Sequence, residues 1–322
     1  MEYRNPLTIE AENLCVSYER TLALRIHELQ VRGNIIGIIG HNGAGKSTFI
    51  KAILELIPAD SGRLLAQKGP NATRLVPDRD MAFCPETGAV FSDITVKEYL
   101  KLWCRLKAGS PHYLFKEGQS ILEILELEEL LHKKGRELSK GQRQRVQTAA
   151  GFFSQPRLFL FDEPFDGLDI QRTHELIELI RSYGSKMSFI ISSHRMDVME
   201  LLADEMIVLE DGTVRTTGSP KRISQDLCPH FLRISGVPDY ERAYEALQIA
   251  LPHCFLRRSG DTIRIASSQM VKDTVLKTLQ KNSDYEIPIV EGEPTLTDAM
   301  SLYLRKIKEE KDGMQEDKGM SY

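Results

Sequence analysis

Lys46 and Ser47 close the run GHNGAGKST, residues 40–48, in which Gly40 and Gly45 stand five positions apart. An ammonium and a hydroxyl directly behind such glycines form a phosphate receptor, provided that a strand leads in and a helix leads out. The apolar stretch Ile35-Ile36-Gly37-Ile38-Ile39 supplies the strand, and a helix is expected over Thr48 to Ile57, stopped by Pro58. A turn without Cβ atoms wraps closely around phosphate oxygens and aims successive N–H groups at them. The helix adds the positive end of its dipole. Gly40, His41, Asn42, Gly43, Ala44, Gly45, Lys46, Ser47 and Thr48 are therefore the candidate nucleotide-binding residues. Lys46 would reach the outer phosphates, and Ser47 could ligate Mg²⁺. The pattern predicts binding of a nucleoside triphosphate.

Further residues could turn binding into hydrolysis. The apolar segment Leu158-Phe159-Leu160-Phe161 ends in Asp162-Glu163. A buried strand would deliver Asp162 beside the phosphate loop to hold Mg²⁺ through water. Glu163, pointing elsewhere, could polarise the attacking water as general base. Leu138-Ser139-Lys140-Gly141-Gln142 heads a helix. Ser139, Gly141 and Gln142 there offer a hydroxyl and free N–H groups to an anion, although Ser139 with Gln142 is equally a plain capping box. Asp166-Gly167-Leu168-Asp169 follows the acid pair, and His194 follows the apolar strand 188–192. An imidazole at that strand end could donate to a terminal phosphate.

Positioning these groups requires alternating strands and helices. Apolar residues recur at every second position between Leu7 and Val31, which predicts half-buried strands. Pro58 to Gly62 reads as a turn and 66–80 as loop. A helical region is expected from Thr95 to Phe153, with capping boxes at Thr95/Glu98 and Ser120/Glu123. A helix over 171–182 and a hairpin turning at Asp211-Gly212 follow. From Phe231 the order strand, helix, two strands, helix, strand suits a small ferredoxin-like α+β domain. A last helix is expected over 295–304, with a capping box at Thr295/Asp298 and a charged, disordered tail beyond Lys306.

The bulk properties narrow the class. The 322 residues suffice for a large domain and a smaller one. A net charge of −4 argues against a nucleic-acid partner. No apolar run approaches the ~18 residues of a spanning helix, and the first residues lack the apolar centre of a signal peptide. The five cysteines are scattered without a CxxC pair, as expected of reduced, buried thiols.

Taken together, the motifs between Leu7 and Pro220 resemble the ATP-binding subunit of an ABC transporter. In that family GHNGAGKST is the Walker A loop, LFLFDE the Walker B strand and LSKGQ the signature motif. Asp169 then falls on the D-loop, His194 on the switch histidine and Tyr18 on the aromatic that stacks on adenine. The resemblance implies an α/β fold: a P-loop NTPase core with a mainly parallel sheet, an antiparallel β subdomain and a helical signature subdomain, residues 87–153. The ATP-binding domain is expected over 1–222, the α+β accessory domain over 226–306 and the tail over 307–322. It further implies ATP and Mg²⁺ as ligands, with Lys46, Glu163 and His194 catalytic. A head-to-tail pair with an identical or second ATP-binding subunit, membrane-spanning permease partners and a peripheral place on the cytoplasmic membrane face are also implied.

This chain departs from the family at two positions. Lys140 replaces a signature glycine, and Glu86 stands where a glutamine is usual. Glutamate keeps an oxygen for Mg²⁺ but loses the amide donor, so Glu86 is a candidate metal contact beside a hinge role. These departures, with the appended domain, resemble subunits of exporters more than those of importers.

Overall fold

The computed structural model describes residues 6–69, 71–108, 118–280 and 288–319. It divides into two compact units, Met1–Gly218 and Ser219–Tyr322.

In the first unit, β1 (Leu7–Tyr18) and β2 (Thr21–Gly33) alternate buried and wetter positions, as the sequence period requires. They pair antiparallel in a sheet of order β2-β1-β4-β5, with β4 (Ser61–Lys68) and β5 (Thr73–Arg74). The central strand β3 (Ile35–Ile39) is buried throughout and leads into α1 (Lys46–Ile53). After β5 come α2 (Pro77–Asp80), β6 (Met81–Cys84) and the helices α3 (Val96–Ala108), α4 (Gln119–Ile124) and α5 (Lys140–Phe153). The unit closes with β7 (Leu158–Asp162), α6 (Ile170–Tyr183), β8 (Ser188–Ser192), α7 (Met196–Leu202), β9 (Glu205–Glu210) and β10 (Thr213–Gly218).

The second sheet runs β10-β9-β3-β8-β7-β6, parallel except for β10. β3, β7 and β8 are buried on both faces, so their sequences are continuously apolar instead of alternating. The expected α/β class with a parallel core and an antiparallel β subdomain is present. Close packing of α5 on β7 explains Gly151, where a Cβ would lie 2.0 Å from the Phe159 ring.

The second unit comprises α8 (Pro220–Leu227), β11 (His230–Ile234), α9 (Tyr240–Ala250), β12 (Phe255–Ser259), β13 (Thr262–Ser267), α10 (Lys272–Gln280), β14 (Ile289–Glu291) and α11 (Leu296–Gly319). Its antiparallel sheet runs β12-β13-β11-β14. One core joins that sheet to α9 and α10 through Leu232, Ile234, Leu247, Ile263, Ile265 and Val275. A smaller one gathers Cys228 after α8, Phe231 of β11, Ala266 of β13, and Ala299 and Leu302 of α11.

Several local expectations are corrected. The helix after the phosphate loop starts at Lys46 and ends at Ile53, because Glu55 takes a left-handed φ of +54° well before Pro58. The turn expected at Pro58–Gly62 and the loop expected over 66–80 are partly strand: β4 borrows its ladder from β1, with Leu7 opposite Lys68 and Ala11 opposite Leu64. Ser120 does not cap α4; Gly118 does, and the apolar face breaks at Glu126 (φ +46°) into a short 3₁₀ turn, Glu128–Leu130. The unit boundary falls at Gly218, since α8 belongs with the second unit. Helix α11 continues beyond Lys306 to Gly319, a stretch of lysines and glutamates with high helix propensity. Residues 109–117 of the expected helical region and Ile287 lie outside the described residues.

Candidate functional site: a phosphate loop facing two carboxylates and a histidine

β3 delivers the loop and β7 the acids, with β8 between them. At Gly40 a Cβ would sit 2.4 Å from the Leu209 carbonyl oxygen, so no side chain fits where the loop leaves the sheet. Gly43 (φ +85°) and Gly45 (φ +101°) hold backbone angles that only glycine adopts cheaply. Gly45 is the N-cap of α1 and offers no side-chain cap, leaving the first N–H groups of the helix for an anion. A hairpin turn braces the loop from outside: Gly212 N donates to Ala44 O at 3.0 Å, and His41 Nε2 lies 3.1 Å from Asp211 Oδ1.

Lys46 is 7% exposed and satisfied from within. Its Nζ donates to Gly40 O (3.0 Å) and His41 O (3.4 Å) and pairs with Glu163 Oε1 at 3.4 Å. The other Glu163 oxygen accepts from the His194 backbone N–H (3.1 Å) and lies 3.0 Å from His194 Nδ1. Glu163 therefore bridges the loop cation and the imidazole. Its own backbone is in the left-handed region, φ +50°, which strains a residue with a Cβ.

Asp162 ends β7, is buried, and accepts a 2.6 Å hydrogen bond from the Ser192 hydroxyl. Beneath the acids, burial pushes the Cys84 thiol up to about 12, despite its contact with Thr148, and the nearby Asp162 carboxylate acts in the same direction. Burial thus favours the neutral thiol form of Cys84 over the thiolate.

The remaining predicted residues lie as follows. Ser47 and Thr48 are half-buried in the first turn of α1. Ser139 caps α5 in a reciprocal box: Gln142 N donates to Ser139 Oγ (3.2 Å), and Ser139 N donates to Gln142 Oε1 (3.0 Å). Among the described residues, Ser139, Gly141 and Gln142 make no hydrogen bond to the Lys46–Glu163–His194 cluster. Asp169 caps α6, accepting from Arg172 N at 2.8 Å. Tyr18 ends β1 and is 44% exposed. Glu86 turns its carboxylate to Lys140 Nζ, 3.9 Å away, so the two departures from the family pattern face each other.

Sequence reading missed Ser192, Gln144 and Asp211. The Gln144 amide of α5 reaches the Glu163 carbonyl at 3.5 Å. Ser192 could have been found only from its register, since it lies opposite Asp162 across the β7–β8 ladder.

The family described as ABC transporter matches residues 26–166, which span the phosphate loop and both acids. Over residues 26–166 the chain thus matches an ABC transporter ATP-binding domain. A second family, described as an AAA domain with a putative AbiEii toxin of type IV toxin–antitoxin systems, matches residues 134–200.

Similar proteins include the rat ATP-binding cassette sub-family A member 2, 28% identical over 219 residues. The match covers 67% of this chain and 9% of the rat protein. The sulfate/thiosulfate import ATP-binding protein CysA of Vibrio cholerae is 30% identical, with 66% of this chain and 59% of that protein covered. The lipopolysaccharide export system ATP-binding protein LptB of Acidithiobacillus ferridurans is 29% identical, with 68% and 92% covered. Thus the chain spans only part of the first two. Among solved structures, an ATP-binding subunit of an ABC transporter superposes with a TM-score of 0.61 at 28% identity, covering 68% of this chain and 92% of that one. A dimeric ATP-binding cassette bound to ADP and Pi shares the fold, with a TM-score of 0.57 at 21% identity and 66% and 98% covered. No helix among the described residues is long and apolar enough to cross a membrane.

Proposed function

We propose that this chain binds and hydrolyses ATP as the motor subunit of an ABC transporter, with export favoured over import. The observation that carries the reading is the Lys46–Glu163–His194 cluster, in which a carboxylate faces the loop cation on one side and an imidazole on the other.

ATP is the substrate. Its phosphates would lie over the loop from Gly40 to Thr48, taking the place of Glu163 on Lys46. The glycine cradle and the uncapped start of α1 fit this use. Ser47 and Asp162 would hold Mg²⁺, with Glu86 a further candidate ligand. When bound, Mg²⁺ neutralises phosphate charge and orients the oxygens. Once released from Lys46, the Glu163 carboxylate accepts a proton from the attacking water, and His194 donates to the terminal phosphate. Tyr18, half-exposed at its strand end, is free to stack on the base.

Among the described residues Ser139 and Gln142 bond to each other and Asp169 to Arg172 rather than to this cluster, which supports their use, with Gly141, across a head-to-tail pair. A second copy, or a related ATP-binding subunit, would present its Ser139 helix to the nucleotide held here. Closure by ATP and opening after hydrolysis would then drive membrane-spanning permease subunits on the cytoplasmic face, since states that bind a partner unequally are shifted by it. Export is supported by the second unit, whose β-α-β-β-α-β order differs from the run of short strands of an importer-type regulatory barrel. No role for nucleic acid is proposed.

The direct test is phosphate release by the purified chain with Mg-ATP, beside calorimetric binding to Lys46→Ala. Loss of nucleotide binding in Lys46→Ala is expected; unchanged affinity would overturn the assignment of the loop. Mass spectrometry of the permease that co-purifies from membranes tests the transport role.

A further inference from the structure

We infer that Ser192 is a positioning residue that fixes both carboxylates of the site through a single hydroxyl, an inference that rests on the hydrolytic reading above. Ser192 closes β8, is 0% exposed, and stands in register with Asp162 on β7. Its Oγ lies 2.6 Å from Asp162 Oδ1 and 3.0 Å from Glu163 N. A hydroxyl has one proton to give and lone pairs to accept with. An ionised carboxylate can only accept and a backbone N–H can only donate, so the direction is forced: Glu163 N–H to Ser192 O–H to Asp162. The Ser192 carbonyl accepts from the same Glu163 N–H at 3.2 Å.

The arrangement accounts for the strained backbone of Glu163. A left-handed residue with a side chain persists only where its surroundings hold it from several sides. Here Ser192 holds the N–H, Gln144 the carbonyl, and Lys46 and His194 the carboxylate. Of these, Ser192 alone also touches Asp162 among the described residues. One side chain thus sets the peptide that aims the base and the rotamer of the acid that would hold the metal. Groups that orient a metal-holding carboxylate are typically worth ~10–100-fold in metal affinity or activity.

The test compares Ser192→Thr with Ser192→Val, which add the same bulk and differ in the hydroxyl, with Ser192→Ala as the cavity control. The expected result is kcat for the Val and Ala variants roughly 10–100-fold below that of wild type, with Thr restoring most of it. In a Glu163→Gln background with ATP, Mn²⁺ titration followed by electron paramagnetic resonance should show tighter metal binding for Thr than for Val. Metal-free ATP affinity should stay the same across the set. A merely structural role would lower melting temperatures while leaving kcat per folded molecule and the Mn²⁺ titration unmoved. Equal kcat and equal Mn²⁺ affinity in Thr and Val, or an Ala variant that behaves as wild type, would overturn the inference. If wild type itself shows no hydrolysis that Glu163→Gln suppresses, the hydrolytic reading fails instead.

Discussion

Replacing Glu163 by glutamine removes one charge and little volume, and the structure says what should follow. Glu163 uses its two oxygens on different partners, Oε1 toward Lys46 and Oε2 toward His194. A glutamine has one amide oxygen, so it can serve only one of them. If that oxygen stays on Lys46, the amide nitrogen confronts the His194 backbone N–H, donor against donor. If it turns to His194 instead, buried Lys46 keeps only Gly40 O and His41 O; either way one group goes unsatisfied, at a cost of about 1–3 kcal/mol. In a unit of this size each kcal/mol moves Tm by roughly 2–4 °C. Because phosphates would replace the lost carboxylate at Lys46, the Tm deficit of Glu163→Gln should shrink when ATP is added. Turnover behaves differently. Loss of a general base typically costs ~10²–10⁴-fold, about 3–5 kcal/mol of barrier. Steady-state phosphate release and a thermal-shift series with and without Mg-ATP measure both effects. A variant that keeps more than about half of the wild-type rate would refute Glu163 as base, a threshold far above the ~10²-fold minimum loss. A Tm deficit that ATP leaves unchanged would refute the exchange of partners at Lys46.

Two further perturbations test other parts of the account. Gly88 has φ +59°, and a Cβ there would meet Gln144 N at 2.8 Å. Gly88→Ala should therefore cost about 1–3 kcal/mol by forcing the segment that carries Glu86 away from α5; an unchanged Tm contradicts the packing. In the second unit, burial opposes ionisation of Asp298, but hydrogen bonds from Arg264 and Thr295 outweigh it and hold the carboxyl below its usual range. A depressed carboxylate stabilises fully above its unfolded pKa near ~3.9, and that stability fades as pH falls through the lower folded value. Asp298→Asn should destabilise the chain at neutral pH by about 3–5 kcal/mol, since Arg264 loses its partner, and should flatten the acid limb of stability below pH ~4. An acid limb identical to wild type, followed by circular dichroism, counts against the pair.

What the sequence revealed was local. The glycine turn, the acids at the end of an apolar strand, and the capping boxes Thr95/Glu98, Ser139/Gln142 and Thr295/Asp298 depend on neighbours a few residues apart, and all three boxes close in the structure. What stayed hidden was set by distant partners. β4 has only one fully buried position, Ala66, so its period is faint, and it becomes a strand because β1 offers a ladder some fifty residues away. A serine at the end of an apolar strand says nothing by itself; Ser192 acquires meaning from β7 in register beside it. Asp211 likewise reads as a hairpin residue until the turn is seen braced against His41 and Ala44. Lys140 and Glu86 look like separate departures from a family pattern, and only the fold shows them facing one another. Helix α11 outran its expected end because charge-rich composition signals disorder and helix alike.

The proposal that ATP joins two copies across the Ser139 helix is tested most directly by sedimentation of Glu163→Gln with saturating Mg-ATP. The account predicts a dimer holding two nucleotides, which reverts to monomer when Ser139→Arg obstructs the second side. A nucleotide-loaded protein that sediments only as monomer, with or without its permease, would contradict it.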